Sequence, residues 1–116
     1  LPDFGNFQKD RKAGTFHDRY AGVAAMLPFA KCVCAKAHDF DAQGEECYTD
    51  YGRMLRLVDD SGYKGWNEVE YEGPGGPPRT PAPERNPTAP LGEREGALAT
   101  VRLLEKHLVT ALRTES

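Results

Sequence analysis

Two short stretches of this chain carry ionisable side chains at a spacing that could do chemistry. In "WNEVEYEG", Glu68, Glu70 and Glu72 alternate with Val69 and Tyr71; in "CVCAKAHDF", Lys36 and His38 follow Cys32 and Cys34 at the same two-residue interval. On an extended strand that interval puts each set on one face. Three carboxylates on one face repel one another unless water or a cation lies close, and carboxylates so placed can take protons from a substrate. An imidazole nitrogen beside carboxylate oxygens suits Mn2+, Zn2+, Co2+ or Mg2+. A solvated edge strand gives the same Glu alternation, and a lone His at a strand end is often a bystander, so both readings stay open on spacing alone. Asp3, just before "FGNF", is a candidate for a third strand end on the same limited ground.

The elements that must position these groups follow from periodicity. Residues 1–17, rich in glycine and charge, read as a loop. From Asp18, a natural cap, Tyr20, Val23, Ala24 and Leu27 mark one face of a helix that ends near Pro28. "AKCVCAKA" reads as a strand and "DFDAQGEECY" as a loop turning at Gly44. Thr49 is placed to cap a second helix with Tyr51, Met54, Leu55 and Val58 on its apolar face, and Gly62 suits its stop. "GWNEVEYEG" is the second strand. Residues 73–92 hold seven of the nine prolines and read as an exposed Pro/Gly-rich loop. Ala97, Val101, Leu104, Leu108 and Leu112 mark a third helix, with Glu93 and Glu95 near its positive end. Strands alternating with amphipathic helices predict an α/β fold of parallel strands, whose functional loops follow the C-terminal strand ends.

Bulk composition narrows the function. The 116 residues fit a single small domain; 39% are hydrophobic and 28% charged, and the formal charge is −3. A mildly acidic chain lacks the basic footprint of a nucleic-acid binder, and no apolar run is long enough to span a membrane. Three cysteines are too few for a structural zinc site and read as small buried hydrophobes of a reducing, cytoplasmic environment.

Four blocks, "LPDFGNF", "MLPFAKCVCAKAHDFD", "DYGRMLRLVDDSGYKGWNEVEYEG" and "EGALATVRLLEKH", resemble in order the C-terminal part of sugar phosphate isomerase/epimerase proteins of the xylose isomerase-like TIM-barrel superfamily. The resemblance spans nearly all of residues 1–116 outside the insert at 74–91. It implies the last two to three βα units of a (β/α)8 barrel with a divalent metal, Mn2+ first, at the C-terminal mouth. It implies a sugar or sugar phosphate as the small-molecule partner, and proton transfer through an enediolate. By position it makes Asp3, His38 and Glu70 the metal ligands and Glu70 the proton-transfer group. Asn6, Lys36 and Glu72 become substrate contacts. An alignment shifted by two would bring Lys36 to the place of His38, as a substrate or charge-neutralising group rather than a ligand, and Glu72 is the fallback for Glu70.

A full barrel runs to about 250 residues, so the expectation is a piece of a longer protein, consistent with an opening on "LPDFG" rather than Met. The carboxylate that would partner Glu70 from an earlier strand is absent, so the piece is expected to be inactive alone. Alone, the piece would leave parallel strand edges bare and prone to association; the full-length form is expected to be a homo-oligomer. The alternatives are a non-catalytic half-barrel remnant, a module using its Pro-rich loop as a polyproline ligand, and an abasic-site endonuclease relative, which the acidic charge disfavours.

Overall fold

A computed structural model of the chain describes residues 1–10, 12–75 and 85–115, with the side chains of the last helix described as far as Leu108. A short antiparallel hairpin, β1 (Gln8–Asp10) and β2 (Thr15–Phe16), precedes helix α1 (Arg19–Met26), which tightens into a 3-10 turn at Leu27–Phe29. Strand β3 (Cys32–Ala37), helix α2 (Tyr51–Asp60), strand β4 (Trp66–Tyr71) and helix α3 (Glu93–Glu115) follow. β3 and β4 pair in parallel, with Lys36 opposite Glu70 and Cys34 opposite Glu68. The chain is thus a mixed α/β fold built on a parallel strand pair.

Local rules explain most of these elements. The Asp18 side chain accepts from the backbone N–H groups of Tyr20 and Ala21 and starts α1. Pro28 sits inside the 3-10 turn, where continuing the α-helix would need an N–H it lacks. α2 buries the expected four residues, Tyr51, Met54, Leu55 and Val58, each worth roughly 2 kcal/mol of apolar burial. They pack with Phe4, Val23, Val33, Ala35, Ala37, Leu103 and Leu104 into one core. The odd-numbered residues of both strands face this core, which leaves the even-numbered face of Cys34, Lys36 and Glu70 for other work.

Four expectations are corrected. Residues 1–17 are not all loop: besides the hairpin, Asp3 forms a parallel bridge with Cys34, through Phe4 N to Cys34 O at 3.0 Å and Cys34 N to Pro2 O at 2.7 Å. The cap of α2 is Asp50, which accepts from Arg53 N; Thr49 is instead buried and its hydroxyl takes a hydrogen bond from Arg19 at 2.6 Å. Ala24 is exposed on α1. On α3 the buried residues are Gly96, Thr100, Leu103 and Leu104, while Val101 and Leu108 face outward. The rotation has a cause: Gly96 lets the helix lie directly against the Tyr71 ring, which a side chain there would strike. The side chain of Leu112 lies outside the described residues, as does the middle of the Pro/Gly-rich loop, 76–84. Its described flanks are tied down by Thr88 N to Phe40 O at 2.9 Å and Tyr71 Oη to Leu91 O at 2.9 Å.

Candidate functional site

Lys36 is the centre of the polar face. Its side chain is 3% exposed, and its ammonium lies 3.4 Å from Asp3 Oδ2, 3.0 Å from Glu70 Oε1 and 2.5 Å from Glu72 Oε1. Each neighbour has a structural reason to be there. The parallel register sets Lys36 opposite Glu70, and alternation brings Glu72 to the same side one step further on. Asp3 arrives on the other flank of β3 through its bridge to Cys34. Its Oδ1 is fixed by the backbone N–H groups of Gly5 at 2.7 Å and Asn6 at 3.1 Å, which turns Oδ2 toward the ammonium. Gly5 covers the lysine stem: a Cβ there would come within 2.9 Å of Lys36 Cγ. From the core side, Tyr51 Oη donates to the Lys36 carbonyl at 2.5 Å.

Charge perturbations follow this geometry. Burial by itself would lower the Lys36 pKa, but the hydrogen-bonded carboxylates of Glu72 and Glu70, with Asp3, outweigh it and raise the value. The Glu70 carboxyl is held below its usual range by the Cys34 S–H and the Lys36 ammonium. Cys34 is pushed up by burial and by its hydrogen bond to Glu70 Oε2 at 3.1 Å, so its thiol stays protonated.

His38 is buried just beyond this cluster. Its Nδ1 faces the Gly73 carbonyl at 3.1 Å, and its Nε2 is 3.9 Å from Glu72 Oε2. Of the six residues singled out from sequence, Asp3, Lys36, Glu70 and Glu72 converge directly. His38 reaches the group only through Glu72, and Asn6 is exposed and contributes its backbone N–H to Asp3. Among the described residues, the set whose donor atoms come within 4.8 Å of one another is Asp3, Cys34 and Glu70. Cys34 was read from sequence as an apolar residue low on the strand. Its place on the same face as Lys36 was visible, but the approach of Asp3 was not.

A second feature escaped the sequence. Glu46 is 1% exposed and accepts from the backbone N–H groups of Thr49 at 2.6 Å, Tyr48 at 2.8 Å and His38 at 3.4 Å, clamping the loop that follows β3. Burial outweighs those donors and pushes its carboxyl up to about 7. Asp39 ties the same loop across the site, accepting from Tyr48 Oη at 2.9 Å and Gly75 N at 2.7 Å. Glu46 lies five residues before α2 begins, and "EECYT" carries no pattern that separates it from its neighbour Glu45. Among the described residues, no helix is long and apolar enough to cross a membrane.

Comparison with known proteins adds one point. No family model matches the chain. Over 57 residues it is 35% identical to the 3'-dehydrocarminate deglycosidase alpha subunit of a Microbacterium species, a match that covers 49% of this chain and 16% of that subunit. The matched stretch spans about a sixth of that subunit's length.

Proposed function

We propose that this chain carries part of the active site of an enzyme that moves a proton next to a sugar carbonyl, as in a sugar or sugar phosphate isomerase or epimerase built on a (β/α)8 barrel. One observation carries the reading. The carboxylates of Asp3, Glu70 and Glu72 converge on a single buried ammonium at the C-terminal ends of neighbouring parallel strands, the end at which parallel α/β folds place their ligands. The name of the matched subunit supports the same chemistry, because a 3'-dehydro sugar carries a carbonyl.

Glu70 is the proton acceptor in this reading. Its lowered pKa keeps it ionised at neutral pH, and its side chain is 42% exposed and so open to a substrate. The C–H bond beside the carbonyl breaks and its proton passes to a Glu70 oxygen. The electron pair forms a C=C bond while the carbonyl oxygen takes up the charge. Delivery of a proton to the opposite face of the same carbon gives an epimer; where that carbon bears a hydroxyl, transfer of the hydroxyl proton to the former carbonyl oxygen and of the C–H proton to the former carbonyl carbon gives an isomer. Departure of a group from the adjacent carbon gives an elimination, which is one route to deglycosylation. In this reading Glu72 and Asn6 contact sugar hydroxyls at the rim, and His38 stands beside Glu72, its Nε2 3.9 Å from Oε2.

The family resemblance also implies a divalent ion, with Asp3, His38 and Glu70 as its ligands. The donor set as arranged does not fit one. Asp3 Oδ2 and Glu70 Oε1 are turned to the Lys36 ammonium, and the imidazole of His38 lies beyond Glu72.

The test is solvent exchange. In the protein incubated in D2O with a 3-keto-glucoside, the proton signal beside the ketone is expected to disappear. Glu70→Gln should slow that loss by about 100-fold or more. Equal rates for the native and Glu70→Gln proteins would sink the reading.

A further inference from the structure

We propose that the Lys36 ammonium is the resident cation of this site, supplying the positive charge that a divalent ion would supply in a related barrel. The inference rests on the proton-transfer reading for its chemical meaning, but its structural content stands apart from it. Lys36, a substrate contact or charge-neutralising group by sequence, is the residue on which Asp3, Glu70 and Glu72 converge.

The geometry leaves little choice. The ammonium is buried and ion-paired with three carboxylates from two chain segments, Asp3 near the start of the chain and Glu70 with Glu72 at the end of β4. A lysine ammonium has three donors, which matches the three carboxylates around it. Its stem is held on both sides, by Gly5 lying over Cγ and by the Tyr51 hydroxyl fixing the backbone beneath it. A divalent ion using Asp3 and Glu70 would share those oxygens with the ammonium and face its repulsion at close range. The third member of the compact donor set, Cys34, is already donating its S–H to Glu70. The surplus negative charge lies chiefly on Glu70 and Glu72, whose side chains are 42% and 44% exposed and so are screened by water.

The assignment changes what the site can do. A metal grips two adjacent oxygens, whereas an ammonium offers hydrogen bonds and a point charge. The longest of its three contacts, 3.4 Å to Asp3, is the one a substrate oxygen can take over. As the C–H proton moves to Glu70, the charge that develops on the carbonyl oxygen is then met by a Lys36 N–H. The substrate class favoured is a sugar ketone presenting one oxygen rather than a chelating hydroxy-ketone pair.

Two measurements test this on the present chain. Mn2+ titration calorimetry should find no stoichiometric site in the native chain, while Lys36→Met, with its carboxylates freed, should bind one Mn2+ at least about tenfold more tightly. Proton–nitrogen NMR at neutral pH should show one slowly exchanging lysine ammonium, identified by its loss in Lys36→Arg and unmoved by excess Zn2+. One tightly held Mn2+ in the native chain, or an ammonium signal that is absent or displaced by Zn2+, overturns the proposal. The NMR outcome decides even where Lys36→Met does not fold. Metal bound to a protein that still exchanges the sugar proton removes this inference and leaves the proton-transfer reading. A metal-free protein with a held Lys36 that performs no exchange does the reverse.

Discussion

Replacing Lys36 by methionine should destabilise the chain by about 2 kcal/mol at neutral pH. Removing one partner of a fully buried ion pair costs about 3–5 kcal/mol, because the other charge stays buried and alone. Here Asp3 is 16% exposed but Glu70 and Glu72 are 42% and 44% exposed, so solvent screens much of the loss. Methionine keeps an apolar stem of similar length under Gly5, so little packing is lost. The pH dependence gives the sharper test. Glu70 is held below its ordinary value of 4.5, so its contribution is present above that value and lost as the pH falls through the lower folded one. Lys36 is raised above its ordinary 10.5, so its contribution is complete below that value and lost only as the pH rises through the higher folded one. The deficit of Lys36→Met should therefore form a plateau from about pH 5 to about pH 10 and shrink toward about pH 3. Urea unfolding followed by far-UV circular dichroism reads it directly. A variant as stable as the native chain at neutral pH, or one whose deficit persists unchanged in acid, would refute the reasoning.

Two further outcomes follow from the core and the loop after β3. Glu46 has an ordinary value of 4.5 and a folded value of about 7, so the folded chain holds the extra proton between them. Stability should fall by up to about 3 kcal/mol as the pH rises through that window and level off above it. Glu46→Gln should flatten that slope in thermal melts taken on either side, and a slope left intact would assign it to another group. In Gly96→Ala the added Cβ would lie 2.1 Å from the Tyr71 ring, which is held by its hydroxyl on Leu91 O. Overpacking of about 1–3 kcal/mol should exceed the roughly 1 kcal/mol gained in helix propensity, lowering the melting temperature. A raised melting temperature would show that the helix can slide away from the ring.

The sequence by itself determined the faces. Period-two alternation put Lys36 with Cys34, and Glu70 with Glu72, on one side of each strand. Period-3.6 stripes gave α2 its four buried residues, and the alternation of strands with helices pointed to parallel pairing. These features are local: each is dictated by neighbours within a few residues, through the geometry of a single strand or helix. Tertiary structure alone decided which faces meet. The register of Lys36 on Glu70, the bridge that carries Asp3 to Cys34, and the turn of α3 that Gly96 allows against Tyr71 all depend on residues far apart in the chain. So does the role of Lys36. On its strand it is one cation at a strand end, and it becomes the hub of three carboxylates because the core packing on the opposite face fixes where Asp3, β3 and β4 lie.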